Sequence, residues 1–434
     1  MATERPLSPF EAGYFGAGGQ LGSVPTGGMP LFIGSTVRGD LDPGALRRAL
    51  ADVAAAHPLL RSRVRTDGPA RFVRDDDFRP RLEIADGGAA EYLELVNAQQ
   101  DWRDGLFHAH LLRAGDRQQL VLVVHHGIAD GRSAFALLDE LWRRYTAYHN
   151  GGRPALPQPE SPDLPEAVDL RLAGLLADAE VAQWLEQIRL MATEFDPAAA
   201  PRLLPRDGAA GDPLGRFALQ RVELDADRTA ELIAAASAAG LSVNSLLTGA
   251  ALIAFRTELE PAAGPLPLFC GHAVDLRGEF DPPLSEHTVV NYASGAGTPA
   301  EVAPDADPVD VGRVVAAGMR VAAEQRQAAV FLLAAQRADE ITAAVLSAPP
   351  TLAISNIGRL AAHSLPDDLT FVRDDVYAMG PGMPPKLTAF TVGDRLTVQV
   401  EYDTALYSRA MMSRIAQAFT ANLGRLRAAA PARG

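Results

Sequence analysis

Residues 119–131 read Gln-Leu-Val-Leu-Val-Val-His-His-Gly-Ile-Ala-Asp-Gly (QLVLVVHHGIADG). Leu120 to Val124 is an unbroken apolar run, the pattern of a strand buried on both faces. From Ser133 to His149 the period changes to 3.6, with Phe135, Leu138, Trp142 and Tyr145 on one stripe. Between strand and helix stand two histidines, an aspartate and two glycines. Successive strand side chains point to opposite faces, so His125 and His126 must part. One can enter a cavity while the other packs into its own lobe. An imidazole at a strand end is rigidly held and titrates near neutrality, which suits a general base. Asp130 can orient a histidine, cap the following helix or pair with a distant arginine. Gly131 permits close backbone passage at the turn. Two satisfied histidines with no chemistry remain an alternative. A metal site is a third reading, but diverging imidazoles coordinate poorly together, and no H-E-x-x-H occurs.

The chain around this stretch has 434 residues, which suggests two domains or lobes. Hydrophobic residues make up 47% and charged residues 22%, enough to bury a large core and too apolar for global disorder. The formal net charge of −14 argues against a nucleic-acid binder, which needs a basic face. The one cysteine, Cys270, excludes an internal disulfide and fits a reducing compartment. It is either a nucleophile or, more simply, a small buried strand residue. The first residues lack the apolar core of a signal peptide, and no run reaches the ~18 apolar residues of a membrane span. The expectation is a soluble, cytoplasmic protein.

Residues 31–38 alternate as a strand, and 43–57 follow as a helix with Pro43 at its start and Leu46, Leu50 and Val53 on one stripe. Strands are expected at 59–65, 70–74 and 108–113. Residues 150–170 are rich in Gly and Pro and form the candidate linker. Helices are expected near 178–195, 226–239 and 242–259, the last capped by Ser242, with strands near 216–223 and 266–274. One helical stretch is expected over 308–345. Strands near 351–355, 369–373, 386–392 and 395–402 precede a final helix, 405–427. An internal similarity links 115–138 to 393–416. Each begins Gly-Asp-Arg and continues as an apolar strand, a polar break and an amphipathic helix. His125–His126 would then match Glu401–Tyr402, implying two lobes of similar fold.

HHGIADG (125–131) matches the HHxxxDG signature, and nearly the whole chain resembles the superfamily that carries it: chloramphenicol acetyltransferase, peptide condensation domains and polyketide-associated acyltransferases. RPLSPFE (5–11) is similar to the family's opening, LRRALADVAAAHPLLRSRV (46–64) to its first helix and strand, SVNSLLTGAALIAF (242–255) with VDLRG (274–278) to its central segment, and TLAISNIG (351–358) to its crossover-region strand. The VDLR and ISNIG wording and the free-standing length favour the phthiocerol dimycocerosyl transferase type.

The resemblance implies a mixed α/β fold of two chloramphenicol-acetyltransferase-like lobes, 1–165 and 166–434, in a V-shaped pseudo-dimer with a tunnel between them. It implies acyl transfer from a phosphopantetheine thioester, on an acyl carrier protein or coenzyme A, to an acceptor hydroxyl in polyketide or lipid metabolism. No permanently bound cofactor and no metal are implied. A carrier protein or polyketide synthase carrier domain would be the partner, with a small alcohol or amine as acceptor. Carried over by motif, His126 is the general base, Asp130 pairs with Arg277 across the lobes, and His125 and Gly131 are structural. Ser355 and Asn356 are candidates for the oxyanion site or tunnel wall, or else for local turn capping. Arg320 is a candidate substrate or carrier contact, or a plain exposed helix arginine. Arg61, Arg63 and Arg65 could offer a basic row to a carrier, or form a solvated strand face. The condensation-domain DFGWG motif is absent, and VYAMGPGMPP (376–385) stands near its place. That departure leaves the latch between lobes undefined and weakens the alternative function, a free-standing condensation enzyme forming an amide or ester on a carrier-bound substrate.

Overall fold

The computed structural model describes residues 3–154, 163–194, 196 and 199–428, so 155–162 of the expected linker lie outside the described residues. The histidine strand is Arg117–His125, buried at every position after the first. That burial follows from its place at the centre of a five-stranded sheet, in the order Thr370–Tyr377, Pro30–Arg38, Arg117–His125, Phe107–Ala114 and Leu82–Asp86. All neighbours are antiparallel except the last pair. Two helices cover this sheet, Pro43–Ala56 and Gly131–His149. Leu46, Leu50 and Val53 of the first and Leu138, Trp142 and Tyr145 of the second are fully buried.

The second sheet has six strands, in the order Phe217–Leu224, Arg395–Asp403, Lys386–Val392, Leu352–Leu360, Leu266–Asp275 and Ala293–Val302. Leu352–Leu360 is parallel to both of its neighbours. The helix Val243–Arg256, capped by the Ser242 hydroxyl, is almost wholly buried and supplies much of the second core. The two cores are separate clusters, and the first includes Leu276, Ile357 and Val392 from the second half of the chain.

The strand Thr370–Tyr377 pairs with Pro30–Arg38, so a segment from the second half completes the first sheet. Measured against a lobe boundary at 165/166, this strand lies in the sheet of the opposite half. The Gly-Asp-Arg similarity appears as two hairpins, each followed by a helix. Gly115 and Gly393 open their turns at φ 61° and 62°, and two 9-residue strands follow. The strand ends are His125 and Asp403, so the matching pair in the second lobe is Asp403–Thr404, two residues beyond Glu401–Tyr402.

Other expectations need correction. The 59–65 strand is a 3-10 turn, Pro58–Arg61, then a strand, Ser62–Arg65, because Pro58 starts a turn better than a ladder. The single helix over 308–345 is three: Pro308–Glu324, Gln327–Ala335 and Glu340–Leu346. Arg326 breaks the first junction at φ 50°, its Nε 2.8 Å from Glu279. Ala293–Val302 (ASGAGTPAEV) gives no strand signal, yet it is the outer strand of the second sheet. An edge position tolerates Pro299, and a Cβ on Gly297 would come 2.0 Å from the Phe269 ring that covers it. Arg61, Arg63 and Arg65 face Asp76, Asp75 and Asp67 at 2.6, 3.0 and 3.0 Å, an ion-paired surface. Among the described residues no single helix is long and apolar enough to cross a membrane, and no group of three or more His, Cys, Asp or Glu could hold a metal ion.

Candidate active site

The two motif histidines part at the strand end. His125 is 1% exposed, stacked on Phe15 at 3.9 Å with Trp102 edge-on at 4.8 Å. Its Nδ1 accepts the Gly127 amide at 3.0 Å, and burial depresses its pKa to about 3. It is a neutral packing group. A Cβ on Gly127 would lie 2.8 Å from Tyr14 Cβ, so the turn fits only glycine there.

His126 lies just beyond the strand and is half-buried. Its backbone is tied at both ends, the amide donating to Met29 at 2.9 Å and the carbonyl accepting from Asn291 Nδ2 at 2.9 Å. Nδ1 is fully buried without a hydrogen bond of standard geometry. With Nδ1 enclosed, Nε2 is the ring nitrogen left to meet an acceptor. Burial lowers the pKa of His126, and the Lys386 charge lowers it further; Asp130 and the carbonyls of His126 and Ala129 oppose this. The outcome is a neutral imidazole at neutral pH. Tyr14 lies 5.7 Å from it, its phenol pushed up to about 12 by burial.

Asp130 makes no hydrogen bond to either imidazole. Oδ1 accepts from Ser133 N at 2.9 Å, capping Gly131–His149, and Oδ2 accepts from Arg277 Nη1 at 2.7 Å and Tyr292 N at 2.8 Å. Arg277, 4% exposed, also bonds Asp275 at 2.9 Å and lies 4.8 Å from the Tyr292 ring. Burial works against its charge, but Asp130 and Asp275 outweigh burial and raise its pKa. Next to it Arg132 reaches Glu286 at 3.1 Å. A Cβ on Gly131 would meet Ile357 Cδ1 at 2.4 Å, so the glycine admits the strand Leu352–Leu360 to the helix start.

The remaining candidates divide. Asn356 Oδ1 accepts from Gly358 N at 2.9 Å across a strand irregularity, a local cap. Ser355 is half-buried and alternates with Ile354, which belongs to the second core, so its side chain turns away from that core. Arg320 lies on the exposed face of Pro308–Glu324. It is not brought to the histidines.

Sequence reading missed several groups here. Tyr14, Asn291 and Tyr292 carry no motif signal. Lys386 does carry one: it is the only lysine among 40 lysines and arginines. Its ammonium donates to Ala378 O at 2.6 Å and lies 3.0 Å from the buried Glu401, which accepts from Thr388 at 2.5 Å. Burial raises the Glu401 pKa. The latch left open by the absent motif is visible around it. Gly382 N donates to Asp403 at 3.0 Å, and a Cβ on Gly380 would come 2.9 Å from Pro25. The loop thus touches both halves.

Two family models match the chain, one described as Condensation domain over 33–256 and one as Phthiocerol/phthiodiolone dimycocerosyl transferase C-terminus over 213–401. The Mycobacterium ulcerans phthiocerol/phthiodiolone dimycocerosyl transferase is 29% identical over 338 residues, 77% of this chain and 78% of the relative. The Mycobacterium leprae protein of the same name is 30% identical over 297 residues, 65% of this chain and 67% of the relative. Among solved structures, polyketide synthase associated protein 5 from Mycobacterium tuberculosis superposes with TM-score 0.70 at 20% identity, covering 98% of each chain. Trichothecene 15-O-acetyltransferase from Fusarium sporotrichioides superposes at 0.72 and 15% identity, covering 98% of this chain and 95% of the other. These last two share the two-lobed fold. The chain belongs to the condensation-domain family, in its phthiocerol/phthiodiolone dimycocerosyl transferase branch, and is an acyltransferase.

Proposed function

We propose that this acyltransferase moves an acyl group from a phosphopantetheine thioester to an acceptor hydroxyl, with His126 as general base. The observation that carries this is a neutral, half-buried imidazole with its Nδ1 enclosed, just past the end of Arg117–His125 and beside an aspartate already committed elsewhere. Nε2 takes the acceptor proton as the oxygen attacks the thioester carbonyl. The tetrahedral intermediate collapses, the C–S bond breaks, and the imidazolium returns the proton to the departing thiolate. The new bond is an ester carbon–oxygen bond. Ser355, turned away from the second core, is the candidate donor to the developing oxyanion. Asp130 and Arg277 hold the halves and leave the proton alone. A carrier protein or coenzyme A supplies the thioester, no resident metal or cofactor takes part, and the setting is cytoplasmic; the buried thiol of Cys270, its pKa pushed up by burial, takes no part.

The test is His126→Ala with panels of acyl-carrier and acyl-coenzyme A donors and alcohol and amine acceptors, read by mass spectrometry. Ester formation by the wild type, lost by ~100-fold or more in the variant with unchanged melting temperature, supports the reading. Full activity of the variant removes His126 as base, and amide products would move the chain to the condensation alternative.

A further inference from the structure

We propose that Lys386 is a positioning residue for the transfer reaction, its ammonium clamped between Ala378, where the 378–385 loop begins, and Glu401 of the second sheet. The proposal rests on the reading of His126 as base. Lys386 begins the strand Lys386–Val392 and pairs with Glu401 in register. Its side chain is only 13% exposed. The ammonium is held by Ala378 O at 2.6 Å and Glu401 Oε2 at 3.0 Å. Ala378 is the residue after Thr370–Tyr377, whose Tyr377 pairs with Phe32, which in turn pairs with Val123. Two residues past Ala378, a Cβ on Gly380 would come 3.2 Å from Met29 Cε, and Met29 O accepts the His126 amide at 2.9 Å. Lys386 therefore ties down, at Ala378, the loop whose Gly380 abuts Met29, the residue that holds the histidine's backbone.

A chain that writes every other basic residue as arginine keeps one lysine here. Arginine's planar fork is best matched by paired acceptors in one plane. The site offers one carbonyl and one carboxylate oxygen, which a compact ammonium on a flexible stem can join. The pair ties the loop down and fixes a positive charge near the imidazole, which favours its neutral, proton-accepting form. The other ionisable groups around His126 are His125 on its own strand, Tyr14 on Pro9–Phe15 and Asp130 at the helix cap; Glu401 faces the ammonium itself.

The experiment titrates His126 in the full chain without needing the natural substrates. The rate of its carbethoxylation by diethyl pyrocarbonate is followed against pH by peptide mass spectrometry in wild type, Lys386→Met, Lys386→Arg and Glu401→Gln. Removing the charge in Lys386→Met raises the midpoint, by roughly half a pH unit or more. Lys386→Arg keeps the charge and leaves the midpoint near wild type while lowering turnover. Glu401→Gln leaves the ammonium uncompensated and moves the midpoint down. The acid limb of thiol release from palmitoyl-coenzyme A with 1-octanol moves with it. An unmoved midpoint in folded Lys386→Met overturns the proposal. If that variant does not fold, an unmoved midpoint in Glu401→Gln does so. Full turnover in His126→Ala sinks the base reading, a result distinct from either.

Discussion

Asp130 and His126 are four residues apart and do different work. Asp130 is 3% exposed and satisfies a helix cap, an arginine and a backbone amide at once. Asp130→Ala strips all three partners and leaves buried Arg277 with Asp275 as its one carboxylate. The expected loss is about 3–5 kcal/mol of stability, read as a fall in the urea midpoint together with activity. His126→Ala removes a half-buried ring whose Nδ1 has no hydrogen bond, so its cost should fall on turnover and spare the fold. Equal destabilisation of the two variants would contradict this division.

At the scale of elements, two contacts bring the halves together. Gly131→Ala pushes a methyl into Ile357 Cδ1, and overpacking of this kind costs about 1–3 kcal/mol. Pairing it with Ile357→Ala should restore much of the loss, which a double-mutant cycle in urea measures. The segment between Leu352–Leu360 and Thr370–Tyr377 has a charged tether. His363 Nε2 lies 2.8 Å from buried Asp374 and Nδ1 lies 3.7 Å from Asp139 on the motif helix. Burial opposes the imidazolium, but the two carboxylates win and raise its pKa to about 9. Because the folded value exceeds the unfolded one, this stabilisation is complete below about pH 6.5 and is lost as pH rises through 9. His363→Asn should flatten the alkaline fall in stability; an unchanged slope between pH 6.5 and 9 counts against the tether.

Over the whole molecule the other shifted histidines act in the opposite direction. His108 and His125 fall to about 3 and His272 to about 4, chiefly through burial. Folded values below the unfolded one mean stability that is present above about pH 6.5 and is lost as pH falls toward the folded values. Each such group withdraws up to about 1.4 kcal/mol per pH unit over that span. Set against His363, they place the stability maximum of the chain near pH 6.5. Chemical denaturation from pH 4 to 9.5 checks this, and a maximum above pH 9 would contradict it.

Periodicity determined by itself what local physics controls. The strand into His125, the helix that follows, the cap at Ser242 and the paired Gly-Asp-Arg turns are each written in contiguous residues whose apolar period or turn chemistry admits one conformation. HHGIADG and the VDLRG segment also marked Asp130 and Arg277. Tertiary structure decided what depends on partners distant in the chain. Ala293–Val302 is a strand only because an edge and the Phe269 ring accept its glycines and proline. The strand Thr370–Tyr377 joins the first sheet through a pairing more than three hundred residues away, which no window of sequence contains. The charge state of His126 is likewise set chiefly by burial, and a histidine's own neighbours along the chain do not reveal what surrounds it in space.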